Sequence, residues 1–359
     1  MKILLLTYEY PPFNGGIAAY LSNLIKTAPS GTRVLVDVPK AGEHWLKTAW
    51  RQYFKIRKEK PDLVAVSHVL PAGYIAYKMK LWFGVPYLVF AHGTDILTAR
   101  RNFWKRFWMR YVLRRAKFVI ANSRFTAALL HEEGIAKINI IPPSVDTANA
   151  ASQPESHNVG SRNNGANKPD LDFRRNDNRN IIISIGRLVP RKGFDTLIKA
   201  MPMIIKEVPD AHLQIIGRGA YYDELVRLAH ELRVEKFVDI LTDVSDKEKI
   251  QRLSAASLFA LAARKVGNDI EGFGIVTLEA SAAGVPVVVT SSGGSAEPIV
   301  DNATGIIAPS DDLKTLSAAI IRLLKNKDQA QKMGAAGREY VAKEYSIETI
   351  GKKFWSILM

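Results

Sequence analysis

Eleven short apolar runs, set apart by longer stretches of helical character, restrict this chain more than any other feature. In the first half they fall at Ile3–Leu6, Val34–Val38, Leu63–Ser67, Tyr87–Ala91, Phe118–Ala121 and Ile138–Ile141. In the second they fall at Ile181–Ile185, His212–Ile216, Val238–Leu241, Leu258–Leu261 and Pro286–Thr290. Most are continuous rather than alternating, as expected of parallel strands covered on both faces. Helical segments are predicted near 17–26, 194–207, 220–232, 273–283 and 312–325. Strand–helix alternation of this kind predicts doubly wound α/β units.

The two series are separated by residues 147–180, which are rich in Asn, Ser, Ala, Gly and Asp and offer almost nothing to bury. They read as a linker. The chain of 359 residues therefore divides into a first domain (1–146), the linker (147–180), a second domain (181–337) and a helical tail (338–359). The tail is expected to pack back on the first domain. Asp170-Leu-Asp172 has the spacing of a metal-binding D-x-D. Inside a low-complexity stretch it lacks the rigid support a metal site needs.

Charge is uneven. The whole chain carries +15, of which +13 lies in residues 1–146. A basic half joined to a near-neutral half suggests an anionic partner for the first. Lys47, Arg51, Lys55 and Lys58 recur along one predicted helix face, beside an apolar face of Leu46, Ala49, Trp50, Tyr53 and Ile56. Arg106, Arg110, Arg114 and Lys117 repeat that spacing among Phe103, Trp104, Phe107, Trp108 and Tyr111. Basic helices with interleaved aromatics suit an anionic membrane surface; core-packed aromatics under a solvated basic face are the plainer reading. The chain has no cysteine, which excludes disulfides, a thiolate nucleophile and Cys-ligated metal. Ile3–Leu6 is too short for a signal peptide, and no run reaches spanning length. The expectation is a cytoplasmic protein, peripherally held at the inner face of the membrane.

Four segments carry chemistry. Gly15-Gly16 lies where the first strand hands over to a helix, as a phosphate loop or a plain tight turn would. Gly186-Arg187-Leu-Val-Pro-Arg191-Lys192-Gly193 follows the first strand of the second domain, where open α/β sheets bind ligands. Arg187 and Lys192 can together neutralise a diphosphate. Glu271-Gly-Phe-Gly-Ile-Val-Thr-Leu-Glu279 sets one carboxylate in a glycine turn and another on the helix that begins near Ile275; both can accept hydrogen bonds from sugar hydroxyls. His92 sits in an Ala-His-Gly turn just past the fourth strand.

In this order, Gly-Gly, His-Gly, G-R-x-x-x-R-K-G and E-x7-E resemble glycosyltransferase family 4, retaining enzymes of the GT-B architecture. The likeness covers nearly the whole chain outside the linker. Arg187–Gly193 (RLVPRKG), Leu197–Met201 (LIKAM), Glu271–Ala280 (EGFGIVTLEA), Gly284–Pro286 (GVP) and Ser292–Glu297 (SGGSAE) are similar to the GDP-mannose-dependent enzymes that build phosphatidylinositol mannosides.

The resemblance implies two Rossmann-like domains facing across a cleft, and transfer of a hexose to a lipid-linked or glycolipid acceptor. Arg187 and Lys192 would hold the donor diphosphate, approached by Gly15 and Gly16. Glu271 would hold the donor sugar beside the backbone of Gly272, Phe273, Gly274 and Ile275. Glu279 would hold the ribose, Val244 would lie at the base, and His92 would contact the transferred sugar. Glu9 and Ser123 would line the acceptor side. No metal and no cofactor is expected. Many relatives have glycine at the position of Asp243, which leaves the base less certain, and UDP-glucose or UDP-GlcNAc is the alternative donor.

A basic nucleic-acid-binding protein would explain the first half but not Arg187, Lys192, Glu271 and Glu279 on the near-neutral half. A nucleotide-sugar epimerase of the same architecture would act on the donor alone. A dinucleotide dehydrogenase is disfavoured, since no G-x-G-x-x-G follows Leu6 or Ile185.

Overall fold

The computed structural model describes residues 1–11, 15–40, 42–147 and 180–359. Asp170 and Asp172, and nearly all of the 147–180 stretch, lie outside the described residues.

Two six-stranded sheets, parallel throughout, form the two halves. The first contains β1 (Lys2–Leu6), β2 (Arg33–Asp37), β3 (Leu63–Val66), β4 (Tyr87–Ala91), β5 (Phe118–Ala121) and β6 (Asn139–Ile140), in the order β2-β1-β3-β4-β5-β6. The second contains β7 (Asn180–Ile185), β8 (Ala211–Ile216), β9 (Val238–Leu241), β10 (Leu258–Leu261), β11 (Val287–Thr290) and β12 (Ile306–Ala308), in the order β12-β11-β10-β7-β8-β9. The apolar runs form these strands because helices cover both faces. Leu4, Leu6, Val64 and Val66 pack on one side of the first sheet, and Ile3, Leu5, Leu63 and Ala65 on the other.

The first half carries α1 (Gly16–Lys26), α2 (Trp45–Glu59), α3 (Ala72–Phe83), α4 (Thr94–Arg100), α5 (Phe103–Arg115) and α6 (Arg124–Glu132). The second carries α7 (Phe194–Glu207), α8 (Tyr222–Glu231), α9 (Asp246–Ala255), α10 (Ile275–Ala282), α11 (Leu313–Lys325) and α12 (Lys327–Glu344). The short β12 is not among the predicted runs, because three residues give too little pattern to read.

The chain passes between the halves at two adjacent points. Val145 N–H donates to the Tyr345 carbonyl at 3.0 Å, and Val145 pairs with Ser346 in a parallel bridge. α12 stays on the second half as far as Glu344, so the return begins at Tyr345 and not at 338. What holds α12 there is close packing: a Cβ on Gly334 would stand 2.1 Å from the Gly284 carbonyl oxygen. The last helix, α13 (Ile347–Leu358), then lies on the first half. It buries Ile350, Phe354 and Trp355 there, and Trp355 Nε1 donates to the Leu24 carbonyl at 3.0 Å.

Strand order in such sheets fixes where ligands go, since a crevice opens where successive crossovers diverge. In the first sheet β1 separates β2 from β3; in the second β7 separates β8 from β10. The loops after β1, β3, β7 and β10 thus converge on the space between the halves.

Candidate active site

The loop after β7 ends in a 3-10 turn over Pro190–Lys192, closed by Gly193. Gly193 has φ +68°, and a Cβ there would lie 1.7 Å from the Ala262 carbonyl oxygen. Only glycine lets this loop lie against the one after β10. The turn aims Arg191 and Lys192 the same way. Lys192 Nζ is 2.7 Å and Arg191 Nη1 2.5 Å from Glu271 Oε2, and Arg191 Nε is 2.9 Å from Asp269. Burial alone would raise the Glu271 pKa, but the two cations prevail and hold it at about 2.

Arg191 thus lies between two carboxylates, while Lys192 meets one and keeps N–H donors in reserve. Arg191 and Asp269 are absent from the predicted site. Arg191 stood in the motif, but only the turn shows that it faces the same side as Lys192. Arg187 is exposed at the edge of the cleft, and no ion pair with a described residue holds it.

Glu271 begins a turn fixed from behind. Gly294 N–H donates to the Glu271 carbonyl at 2.9 Å, and Ser295 Oγ ties its own turn to the carbonyls of Thr290 and Ser292. The turn ends at Gly274, which precedes α10 with φ +83° and no side-chain cap. The first N–H groups of α10 are therefore open to an anion. Phe273 is buried against Val145 and Tyr345, so its side chain anchors the loop. Ile275 Cδ1 lies 3.2 Å from where a Cβ on Gly16 would stand, which brings the start of α1 beside the start of α10. α1 also begins without a side-chain cap, behind Gly15, and a Cβ on Gly15 would meet Glu9 Oε2 at 2.7 Å.

Eight residues beyond Glu271, Glu279 is partly exposed on α10. Its Oε2 has no hydrogen bond, with Lys249 Nζ of α9 3.4 Å away. Lys249 also escaped sequence reading, because its partner lies on another helix. Val244 packs in a cluster with Leu241 and Val276, and the neighbouring Asp243 pairs with Arg218 at the surface.

From the first half, His92 is held by two contacts. Its N–H donates to Asp95 Oδ1 at 3.1 Å, and its Nε2 lies 2.9 Å from the Ser67 carbonyl. A carbonyl only accepts, so Nε2 carries the proton and Nδ1 is left as an acceptor. Burial lowers the ring's pKa to about 4 against the attraction of Asp95, and the imidazole is neutral near pH 7. The His92 carbonyl oxygen faces Gly272 across the cleft, 2.5 Å from where a Cβ would stand.

Ser123 does not line the cleft. It is fully buried, and its hydroxyl caps α6 by accepting from Thr126 N–H at 2.9 Å. Its neighbour Asn122 is the one that reaches Gly272, its Nδ2 3.3 Å from the same Cβ position.

The basic stripes are also altered. Arg51 pairs with Asp37 and Glu43, Lys55 with Asp37, and Arg106 and Arg110 with Glu133, which Arg100 also meets. Glu133 is 1% exposed. Lys47, Lys58, Arg114 and Lys117 remain exposed. The buried face of α2 consists of Thr48, Gln52 and Ile56, and Leu46 and Trp50 of the expected apolar face are exposed. Gln52 fits there because its side-chain N–H₂ donates to Asp37.

Residues 8–149 match the family described as Glycosyltransferase Family 4, and residues 170–340 match Glycosyl transferases group 1. A GDP-mannose-dependent alpha-(1-6)-phosphatidylinositol monomannoside mannosyltransferase of Mycobacterium tuberculosis is 31% identical, covering 99% of this chain and 98% of that protein. A monoacylated phosphatidylinositol monomannoside mannosyltransferase of Corynebacterium glutamicum, also GDP-mannose-dependent, is 32% identical over 99% and 97%. Among solved structures, sucrose-phosphate synthase of Thermosynechococcus elongatus superposes with TM-score 0.81 at 21% identity, covering 99% and 98% of the two chains. Anabaena HepE with UDP-glucose superposes with TM-score 0.80 at 18% identity, over 100% and 99%. Both structural likenesses bear on the fold, which is GT-B.

Proposed function

Because the chain belongs to glycosyltransferase family 4 and is a hexosyltransferase, we propose that it moves mannose from GDP-mannose, with retention, to a lipid-linked or glycolipid acceptor at the inner membrane face. The observation that carries the reading is the Lys192–Glu271 pair, held at the switch point of the second sheet opposite His92. The reading is supported by the relatives named above, which are GDP-mannose-dependent mannosyltransferases of phosphatidylinositol monomannoside.

The chemistry follows from the charges. Breaking the bond between the anomeric carbon and the diphosphate sends its electron pair to a phosphate oxygen. Lys192, Arg187 and the open N–H groups of α10 and α1 stabilise that anion, an electrostatic contribution fixed before the reaction begins. The acceptor hydroxyl oxygen bonds to the anomeric carbon from the face being vacated, and its proton passes to the released phosphate oxygen. The Nδ1 atom of neutral His92 accepts a hydroxyl of the transferred sugar, and Glu271 accepts others. Glu279 takes the ribose diol. With Arg187 and Lys192 facing the diphosphate, transfer is expected to proceed without a metal ion.

A thermal-shift series with GDP, UDP, ADP and their sugar conjugates, with and without EDTA, tests the donor. A ligand at 100 times its Kd adds about 2.7 kcal/mol of stability. Stabilisation by GDP-mannose that EDTA leaves unchanged is expected, followed by transfer of labelled mannose to lipid extract. Stabilisation by a UDP-sugar alone would replace the donor. Its loss in EDTA would show that a metal is needed. A flat response to every nucleotide would overturn the reading.

A further inference from the structure

One charged side chain at the donor loops has no part in the chemistry above. Asp269 stands at the edge of the cleft with its side chain 48% exposed, while those of Arg191, Lys192 and Glu271 beside it are only 9, 9 and 10% exposed. It ends a short hairpin after β10. There Val266 and Asp269 exchange N–H donors and carbonyls, both at 2.9 Å, around Gly267 with φ +59°.

The hairpin is held from both halves. At its base, Arg264 N–H donates to the Arg191 carbonyl at 2.9 Å, and Arg264 Nη1 donates to Asp195 and Thr196 of α7 at 2.7 and 2.8 Å. At its tip, Asn268 Nδ2 donates to the Leu97 carbonyl of α4 at 3.4 Å. Ile270, between Asp269 and Glu271, is buried in the core of the first half. The backbone carrying Asp269 is therefore fixed in place.

What Asp269 holds is one edge of the Arg191 guanidinium. Arg191 donates from Nη1 to Glu271 Oε2 at 2.5 Å and turns Nε to Asp269 Oδ1 at 2.9 Å. Lys192 Nζ also makes its nearest approach to Glu271 at Oε2, 2.7 Å away. Both cations thus crowd on one oxygen of Glu271. No described residue makes a hydrogen bond to the other, Oε1, and it is not sealed from solvent. Glu271 is ionised, held at about 2 by the two cations, so both its oxygens only accept. Oε1 is the one left for a sugar hydroxyl.

A free guanidinium would not leave that oxygen alone, because its planar fork fits a carboxylate through two nitrogens and both oxygens at once. We propose that Asp269 is a positioning residue for the donor sugar: by holding the Nε edge of Arg191, it keeps Oε1 of Glu271 open to the hydroxyls of the transferred hexose. Without Asp269, Arg191 turns its fork onto both oxygens of Glu271 and competes with the sugar. The diphosphate is unaffected, since neither Lys192 nor the open N–H groups of α10 depend on Asp269. This rests on the donor-sugar role of Glu271 given above and adds to it the residue that keeps Glu271 available.

The test is calorimetric titration of the full chain with GDP and with GDP-mannose, without acceptor. Asp269→Asn keeps the shape of the side chain and removes its charge. It should raise the Kd for GDP-mannose about tenfold, the scale of one hydrogen bond to a charged group, and the Kd for GDP by less than about twofold. Asp269→Glu, which keeps the charge, should recover most of the loss. Because Asp269 acts through Arg191, adding Asp269→Asn to Arg191→Ala should change neither Kd further. Arg191→Lys, a cation without the fork, gives the same comparison should alanine there unfold the chain. The GDP Kd and circular dichroism melts check folding in each variant.

An equal loss for GDP and GDP-mannose in Asp269→Asn would overturn the proposal, since the fault would then lie in the whole loop. So would an unchanged GDP-mannose Kd. A loss that persists in full without Arg191 would also overturn it, by putting Asp269 on the sugar itself. Binding of a UDP-sugar in place of GDP-mannose would instead replace the donor proposed above, and UDP-glucose against UDP then decides the role of Asp269 in the same way.

Discussion

Gly272 of the second half lies directly against the carbonyl oxygen of His92 in the first, and a Cβ on Gly272 would stand 2.5 Å from that oxygen. The two loops that would hold opposite sides of a transferred sugar therefore meet, and the absence of a side chain is what lets them.

Gly272→Ala tests this contact. A carbon 2.5 Å from a backbone oxygen cannot be accommodated unless the halves move apart. Displacement by about 1 Å from the reactive geometry costs roughly a hundredfold in rate. Turnover should fall by about that factor, while nucleotide binding by the second half changes only a few-fold. Thermal shift with GDP and the rate of transfer separate the two. Wild-type turnover would mean that the halves react without reaching this contact.

Lys192→Ala and Glu271→Ala should each lower turnover at least about a hundredfold, the scale of losing one preorganised electrostatic group. Their stabilities should differ. Removing Lys192 leaves Glu271 with Arg191, whereas removing Glu271 leaves two nearly buried cations with only Asp269 opposite. Breaking such a cluster from the side of its shared partner costs about 3–5 kcal/mol. Denaturant titration should find Glu271→Ala the less stable of the two. Equal stabilities would mean that water, not Glu271, compensates the cations.

Two strongly depressed pKa values contribute to the acid limb of stability, alongside carboxylates such as Glu43 and Glu133 that arginines hold below their ordinary range. For His92 the folded value is about 4 against an ordinary 6.5, so the unfolded chain binds the extra proton in between. Its contribution is complete above pH 6.5 and is lost as pH falls towards 4. For Glu271 the folded value is about 2 against 4.5, so its contribution is complete above 4.5 and fades below. Stability should fall in two stages on acidification. His92→Gln should remove the first stage, seen in melts from pH 7 to 4. Turnover of wild type should show no ionisation from His92 between about pH 5.5 and 8.

The strands were readable because continuous apolar runs have few other uses in a chain of this length. The donor-side loops were readable because they follow strands directly, but the roles expected of Lys192, Glu271 and His92 came from the family resemblance; the structure pairs Lys192 with Glu271 and sets the His92 carbonyl against Gly272. What stayed hidden depends on partners far along the chain. Arg106 and Arg110 look free until Glu133 arrives from the next helix, and Thr48 and Gln52 look like surface until Glu43 and Asp37 meet them. Ser123 resembles a cleft residue until α6 places Thr126 N–H on its hydroxyl.

Glu297 makes a second join between the halves, and it offers the clearest separation of closure from chemistry. Its carboxylate accepts the N–H groups of Arg124 and Phe125, at 2.8 and 2.7 Å, at the start of α6. Its carbonyl accepts from Tyr345 Oη at 3.2 Å, beside the point where the chain returns to the first half. An acidic group there satisfies two open donors and opposes the positive end of the helix, worth about 1–2 kcal/mol. Glu297→Ala removes that energy from the joined arrangement and leaves the donor loops intact. Small-angle scattering should show a larger radius of gyration, GDP should stabilise the variant as it does wild type, and turnover should fall about tenfold. Glu297→Gln keeps an acceptor oxygen and should recover part of the loss. A scattering profile and turnover identical to wild type in Glu297→Ala would show that the Gly272–His92 contact holds the halves together without it.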